Sequence, residues 1–213
     1  MNRRTGFLLI SFLTLGLGGC GTGPAIKYYT VRVPAAAPNP SPDVHGVSLL
    51  VGRISGPGIL RDGPIAYRVG PHQVGTYTYH RWEEPPVDMV KASLIRQLRD
   101  SGQYSSVNSL MSDSTGKFLM RGSLHDFEEV DGAGISALVS MEFDLLDRKT
   151  GQVLWSKFYS QSEPVEGKKV SDVVAALNRN LDRGLKEVTV GLGDYFSKAL
   201  GPQANMQLSF CAA

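Results

Sequence analysis

Residues 135–146 read Ile-Ser-Ala-Leu-Val-Ser-Met-Glu-Phe-Asp-Leu-Leu, and within them Leu138, Ser140, Glu142 and Asp144 alternate with Val139, Met141, Phe143 and Leu145. A period of two sends successive side chains to opposite faces of a strand, so one face of this segment is apolar and the other polar. Residues 118–130 and 153–160 have the same character and flank it, joined through residues 128–134 on one side and the turn Asp147-Arg148-Lys149-Thr150-Gly151 on the other. The three segments are expected to form a meander of long antiparallel strands.

Upstream, residues 47–54 are an apolar run bounded by glycines and read as a buried strand, which the Gly56-Pro57-Gly58 turn ends. Residues 65–69 and 74–79 follow as a hairpin around Gly70-Pro71. Glu83-Glu84-Pro85-Pro86 opens a first helix, with acids near the positive end of the dipole and proline in the first turn. Its apolar stripe is Val87, Val90, Leu94, Ile95 and Leu98, and Gly102 is placed to cap it. After the meander, Ser171 is the expected N-cap of a second helix whose stripe runs through Val174, Leu177, Leu181, Leu185, Val188, Leu192, Tyr195 and Leu200. Gly184, Gly191 and Gly193 weaken that helix by about 1 kcal/mol each, so a kink is expected near Gly191.

The first twenty residues carry a different signal. Arg3-Arg4 form a positive start, residues 7–17 are apolar, and Leu17-Gly18-Gly19-Cys20 closes the run with small residues before a cysteine. The apolar run falls short of the roughly 20 residues that a membrane-crossing helix needs. The pattern resembles a bacterial lipoprotein signal, which implies cleavage after residue 19 and attachment of lipid to the Cys20 thiol. Two or three acyl chains make a lasting anchor, whereas one holds only marginally. Residues 20–46 are then expected to be a lipidated tether containing a strand at 28–33 and the proline-rich spacer 34–42. One domain spans 47–201, with the 28–33 strand joining it, and 202–213 is a flexible tail.

The formal charge of +2 on the 213-residue chain comes from Arg3 and Arg4; the remainder carries 20 basic and 20 acidic residues. A neutral domain lacks the basic excess that nucleic-acid binding requires. With Cys20 lipidated, Cys211 stands alone and a disulfide framework is excluded. His45, His72, His80 and His125 have no metal-ligand spacing, so no metal or cofactor is expected. Ser114-Thr115-Gly116-Lys117 with Lys149-Thr150-Gly151 matches two of three elements of the penicillin-binding proteins, but no Ser-Asp-Asn lies between them and the second is a hairpin-turn composition. A lipoprotein hydrolase is therefore the weakest of three functional readings. Tyr77, Tyr79 and Trp82 cluster before the first helix, either packing the hairpin against it or presenting a contact.

In order and spacing these features resemble the auxiliary lipoproteins of ABC-type transport systems that work with MCE proteins in lipid transport. The resemblance is carried by Cys20, by Tyr28-Tyr29-Thr30-Val31, by residues 57–61 with Ile65-Ala66-Tyr67-Arg68, and by Tyr79 and Trp82 ahead of Pro85-Pro86 and a helix ending near Tyr104 and Val107. Residues 124–127, Gly151-Gln152-Val153-Leu154 and the closing helix complete it. Val31 stands where leucine is usual. The resemblance implies a mixed α/β (α+β) fold like the TolB N-terminal domain, a mixed sheet carrying two main helices, and no catalytic residues. It also implies partners: an MCE protein and an ABC permease and ATPase, with a homo-oligomer possible. Gly21, in place of the aspartate that retains lipoproteins in the inner membrane, points to the outer membrane and its periplasmic face. A scaffold or assembly factor for another envelope complex is the alternative, since fold alone does not fix function. Leu60, Arg61, Tyr77, Tyr79 and Trp82 are the expected partner contacts, on a surface opposite the anchor.

Overall fold

The computed structural model describes residues 23–34, 46–110 and 115–200. Eight strands and two long helices follow one another: β1 (Lys27–Tyr29), β2 (Ser48–Ser55), β3 (Pro64–Val69), β4 (Gln73–Trp82), α1 (Pro86–Asp100), β5 (Ser106–Ser109), β6 (Phe118–Asp131), β7 (Ile135–Asp147), β8 (Val153–Pro164) and α2 (Val170–Leu200). A short 3-10 turn at Gly58–Leu60 links β2 to β3. The expected meander is present, with β6, β7 and β8 antiparallel neighbours.

Strand β6 organises the sheet. Along its whole length, from Phe118 opposite Asp147 to Asp131 opposite Ile135, one edge pairs with β7. Its other edge is divided: residues 118–123 pair in parallel with β2, and residues 128–131 pair in parallel with β3. The sheet therefore forks at β6 into a β2–β5 branch and a β3–β4–β1 branch. The 3-10 turn carries the chain from one branch to the other.

Both helices pack on one face and share a single apolar core. α2 lies over β7 and β8, α1 over β2 and β5, and the two helices touch. The alternation in residues 135–146 is realised as read, with Val139, Met141, Phe143 and Leu145 buried beneath α2. Phe118 meets Phe196 of α2 edge-on at 5.1 Å between centroids. Asn180, wholly buried on α2, accepts the Tyr159 hydroxyl proton at 2.6 Å and donates to the carbonyls of Ala137 and Gln161 at 3.0 and 2.7 Å. These bonds satisfy a polar group that would otherwise destabilise the core.

Several expectations are corrected. The 28–33 strand is only Lys27–Tyr29. Beyond Tyr29 the chain leaves the sheet, Val31 and Val33 enter the core, and the Arg32 N–H donates to Asn178 of α2 at 2.7 Å. The first helix ends at Asp100, with Gly102 turning the chain at φ +65° as its placement after the stripe led one to expect; the end near Tyr104 and Val107 that the resemblance implies is corrected, since residues 106–109 are β5. The second helix begins before Ser171: the Asp172 carboxylate reaches back to accept the Lys169 N–H at 3.1 Å, as the third residue of a capping box does. That helix continues unbroken through its glycines. At Gly184 a Cβ would collide with the Met141 methyl and lie 2.8 Å from the Tyr159 ring, so close approach to the sheet accounts for the glycine. β8 continues four residues past Ser160, its end held by Glu163 between Arg179 and Arg183 of α2.

Candidate functional site

Cys20 and Ser114 lie outside the described residues, as do the signal segment, the spacer from residue 35 and the C-terminal tail. The five expected contact residues separate. Leu60 and Trp82, each 2 % exposed, are core residues, and this corrects their assignment to a surface. The Trp82 ring packs on Phe127 at 5.4 Å in the crotch of the fork, where apolar area is most effectively removed from water. Arg61 and Tyr79 are exposed, and Tyr77 is half-buried.

Tyr77 belongs to a polar aromatic cluster on the β3–β4–β1 branch. Its hydroxyl donates to the buried carboxylate of Glu129 at 2.7 Å, and its ring meets Tyr67 and His80. The His80 Nδ1 is 2.8 Å from the Tyr29 hydroxyl. Burial, reinforced by the bond to Glu129, raises the Tyr77 pKa well above that of an ordinary phenol, so the hydroxyl stays protonated and remains a donor.

The face of the sheet opposite the helices carries charge. The Arg68 Nε donates to Glu128 at 2.5 Å, with Asp126 on its other side. Burial raises the Glu128 pKa more than Arg68 lowers it. Further along, Arg53, Ser55, Arg121, Gly122, Ser123, Glu142 and Asp144 line an open groove of about 370 Å³. Arg121 faces Asp144 at 3.5 Å, and Asp144 accepts the Ser156 hydroxyl proton at 2.5 Å. Phe158 stands exposed beside His125. Sequence reasoning missed these residues, although the polar half of the alternation in β7 signals them.

Lys149-Thr150-Gly151 forms the turn that its composition suggests. One Asp147 carboxylate oxygen accepts the Lys149 and Thr150 N–H groups, each at 2.9 Å, which holds its pKa below the usual range. Among the described residues, no three His, Cys, Asp or Glu side chains gather as a metal site, and no helix is long and apolar enough to cross a membrane.

The described residues thus form a forked mixed sheet with both helices on one face, an α+β domain whose first strand begins seven residues after Cys20. The family described as the ABC-type transport auxiliary lipoprotein component matches residues 29–189, and the chain belongs to it. Protein XCC0632 from Xanthomonas campestris is similar in structure, with a TM-score of 0.71 at 22 % identity, covering 81 % of this chain and 98 % of that one. A second solved structure, of an uncharacterized protein, gives a TM-score of 0.63 at 12 % identity and covers 79 % and 99 % of the two chains. These likenesses show the fold. No protein of curated function matches the chain.

Proposed function

We propose that the protein is the membrane-anchored, periplasm-facing auxiliary lipoprotein of an MCE-linked ABC system that moves lipid, held in the outer membrane by acylated Cys20 and without catalysis of its own. In this reading residues 1–19 are removed, 20–46 tether the domain and 47–201 form its body. The carrying observation is the place of β1: seven residues after Cys20, the chain is already paired into the sheet against β4. The domain cannot drift far from the membrane that holds its N-terminus.

Five inter-strand steps separate β1 from β8, the free edge at the other end of the sheet, or about 24 Å along the sheet at about 4.8 Å per step. A partner arriving across the periplasm meets that side, where Phe158 is exposed and the Arg53–Arg121 groove opens. Of the contacts expected from sequence, Arg61, exposed in the link from the 3-10 turn to β3, remains a candidate away from that edge. Palmitate-analogue labelling with membrane fractionation tests the anchor: wild type should be labelled and sediment with outer membrane, and Cys20→Ala should be unlabelled and released. Label in the inner membrane overturns the location. Failure of the labelled protein to capture its MCE partner overturns the transport role.

A further inference from the structure

We propose that the β1 edge is a second, non-covalent membrane contact, in which Ile26, Tyr28 and Tyr79 rest in the lipid headgroup layer. The proposal rests on the anchoring reading above. In the parallel β1–β4 pair, Lys27 is opposite His80 and Tyr28 opposite Arg81, and extending that register one residue back sets Ile26 beside Tyr79. Alternation then places Ile26, Tyr28, Tyr79 and Arg81 on one face, and Tyr29, His80 and Trp82 on the other. The second face is the inner one, since Trp82 packs on Phe127 and Tyr29 on His80. The first is the outer one, and its large side chains are left bare: Tyr28 is 64 %, Ile26 49 % and Tyr79 42 % exposed.

The position of this row along the chain identifies what covers it. Ile26 follows Cys20 by six residues, so at about 3.3 Å per residue it stays within roughly 20 Å of the acylated sulfur's backbone. Tyrosine, with an apolar ring and a polar tip, is suited to the boundary between headgroups and hydrocarbon. The half-buried Arg81, opposite Tyr28 on the same face, adds positive charge that suits anionic lipid phosphates. A protein partner fits less well: three side chains, Ile26 just before the three-residue β1, Tyr28 on it and Tyr79 on β4, fall short of the roughly 800 Å² per partner of a stable interface. A membrane contact needs no such area, because the covalent anchor supplies the effective concentration.

The test uses the full acylated protein, carrying Cys211→Ser, reconstituted in phosphatidylethanolamine–phosphatidylglycerol vesicles. Tyr28→Cys, Tyr79→Cys and, as control, Ser160→Cys on β8 are labelled singly with an environment-sensitive fluorophore and challenged with nitroxide lipids. Thermal melts confirm that each variant is folded, as expected for exposed positions. Severalfold stronger quenching at positions 28 and 79 than at 160 supports the contact. Equal quenching at all three sites, or none, on protein whose intact mass shows acylation overturns it and leaves the anchor standing. Shielding of position 79 from an aqueous quencher without lipid quenching also overturns it, in favour of a protein cover. An unacylated mass would instead defeat the anchoring reading, and this proposal with it.

Discussion

The two edges of β6 lead to unlike halves of the molecule. On the β7 side the pairing is long and α2 seals the inner face, with Asn180 and Tyr159 tying helix to sheet. On the other side two short branches share the edge, and the β3–β4–β1 branch keeps half-exposed tyrosines and a histidine beside the buried Glu128 and Glu129 carboxylates of β6. Continuous pairing beneath a close-packed helix gives a rigid half. A branch with few ladder bonds and mixed polar contacts gives a half whose stability is more local, and this is the half that the chain enters first, at β1.

The largest test of this contrast lies where the halves meet. Trp82→Ala should lower stability by about 3–5 kcal/mol in denaturant titration, because it empties the packing against Phe127 at the crotch of the fork. A loss under about 1 kcal/mol would mean that the branch is not packed onto the rest. Next comes the rigid half: Gly184→Ala should cost about 1–3 kcal/mol, although alanine in an exposed helix would gain about 1. The Met141 methyl can move aside, but the Tyr159 ring is pinned by its hydrogen bond to Asn180. A stabilised variant would show that α2 can lift from the sheet.

The smallest expected effect is a pH dependence in the polar half. Glu128 has a folded pKa raised by burial, with Arg68 only partly offsetting it. A raised carboxyl contributes stability in full below the ordinary glutamate value near about 4.3, and loses it as pH rises through the folded value. Glu128→Gln stays neutral, so its melting temperature relative to wild type should rise between pH 4 and pH 7. A relative fall over that range would show that the ion pair with Arg68 outweighs desolvation.

Residues 135–146, the stripe of α2 from Val174 to Leu192 and the Pro85-Pro86 start of α1 were legible because each carries its own period or its own restricted dihedral. Past Leu192 the expected stripe fails, since Phe196 enters the core while Tyr195 is half-buried and Leu200 exposed. The lipobox is local too, a motif read along the chain before folding. β5, with one apolar residue in Ser-Val-Asn-Ser, and the end of β8, in Ser-Gln-Ser-Glu, have no such period; they are strands because β2, β7 and the α2 arginines complete them. For the same reason the sequence could group Leu60, Tyr77, Tyr79 and Trp82 but not sort them. Whether an aromatic side chain is core or surface depends on which face of a strand it occupies and on what lies across it. Here that was decided by the bulge in β4 opposite β3, by the fork at β6 and by the parallel docking of β1, all long-range pairings. Sequence determined most of the elements and carries the lipobox pattern on which the proposed anchor rests; only tertiary pairing put Trp82 inside and left Tyr28 and Tyr79 bare.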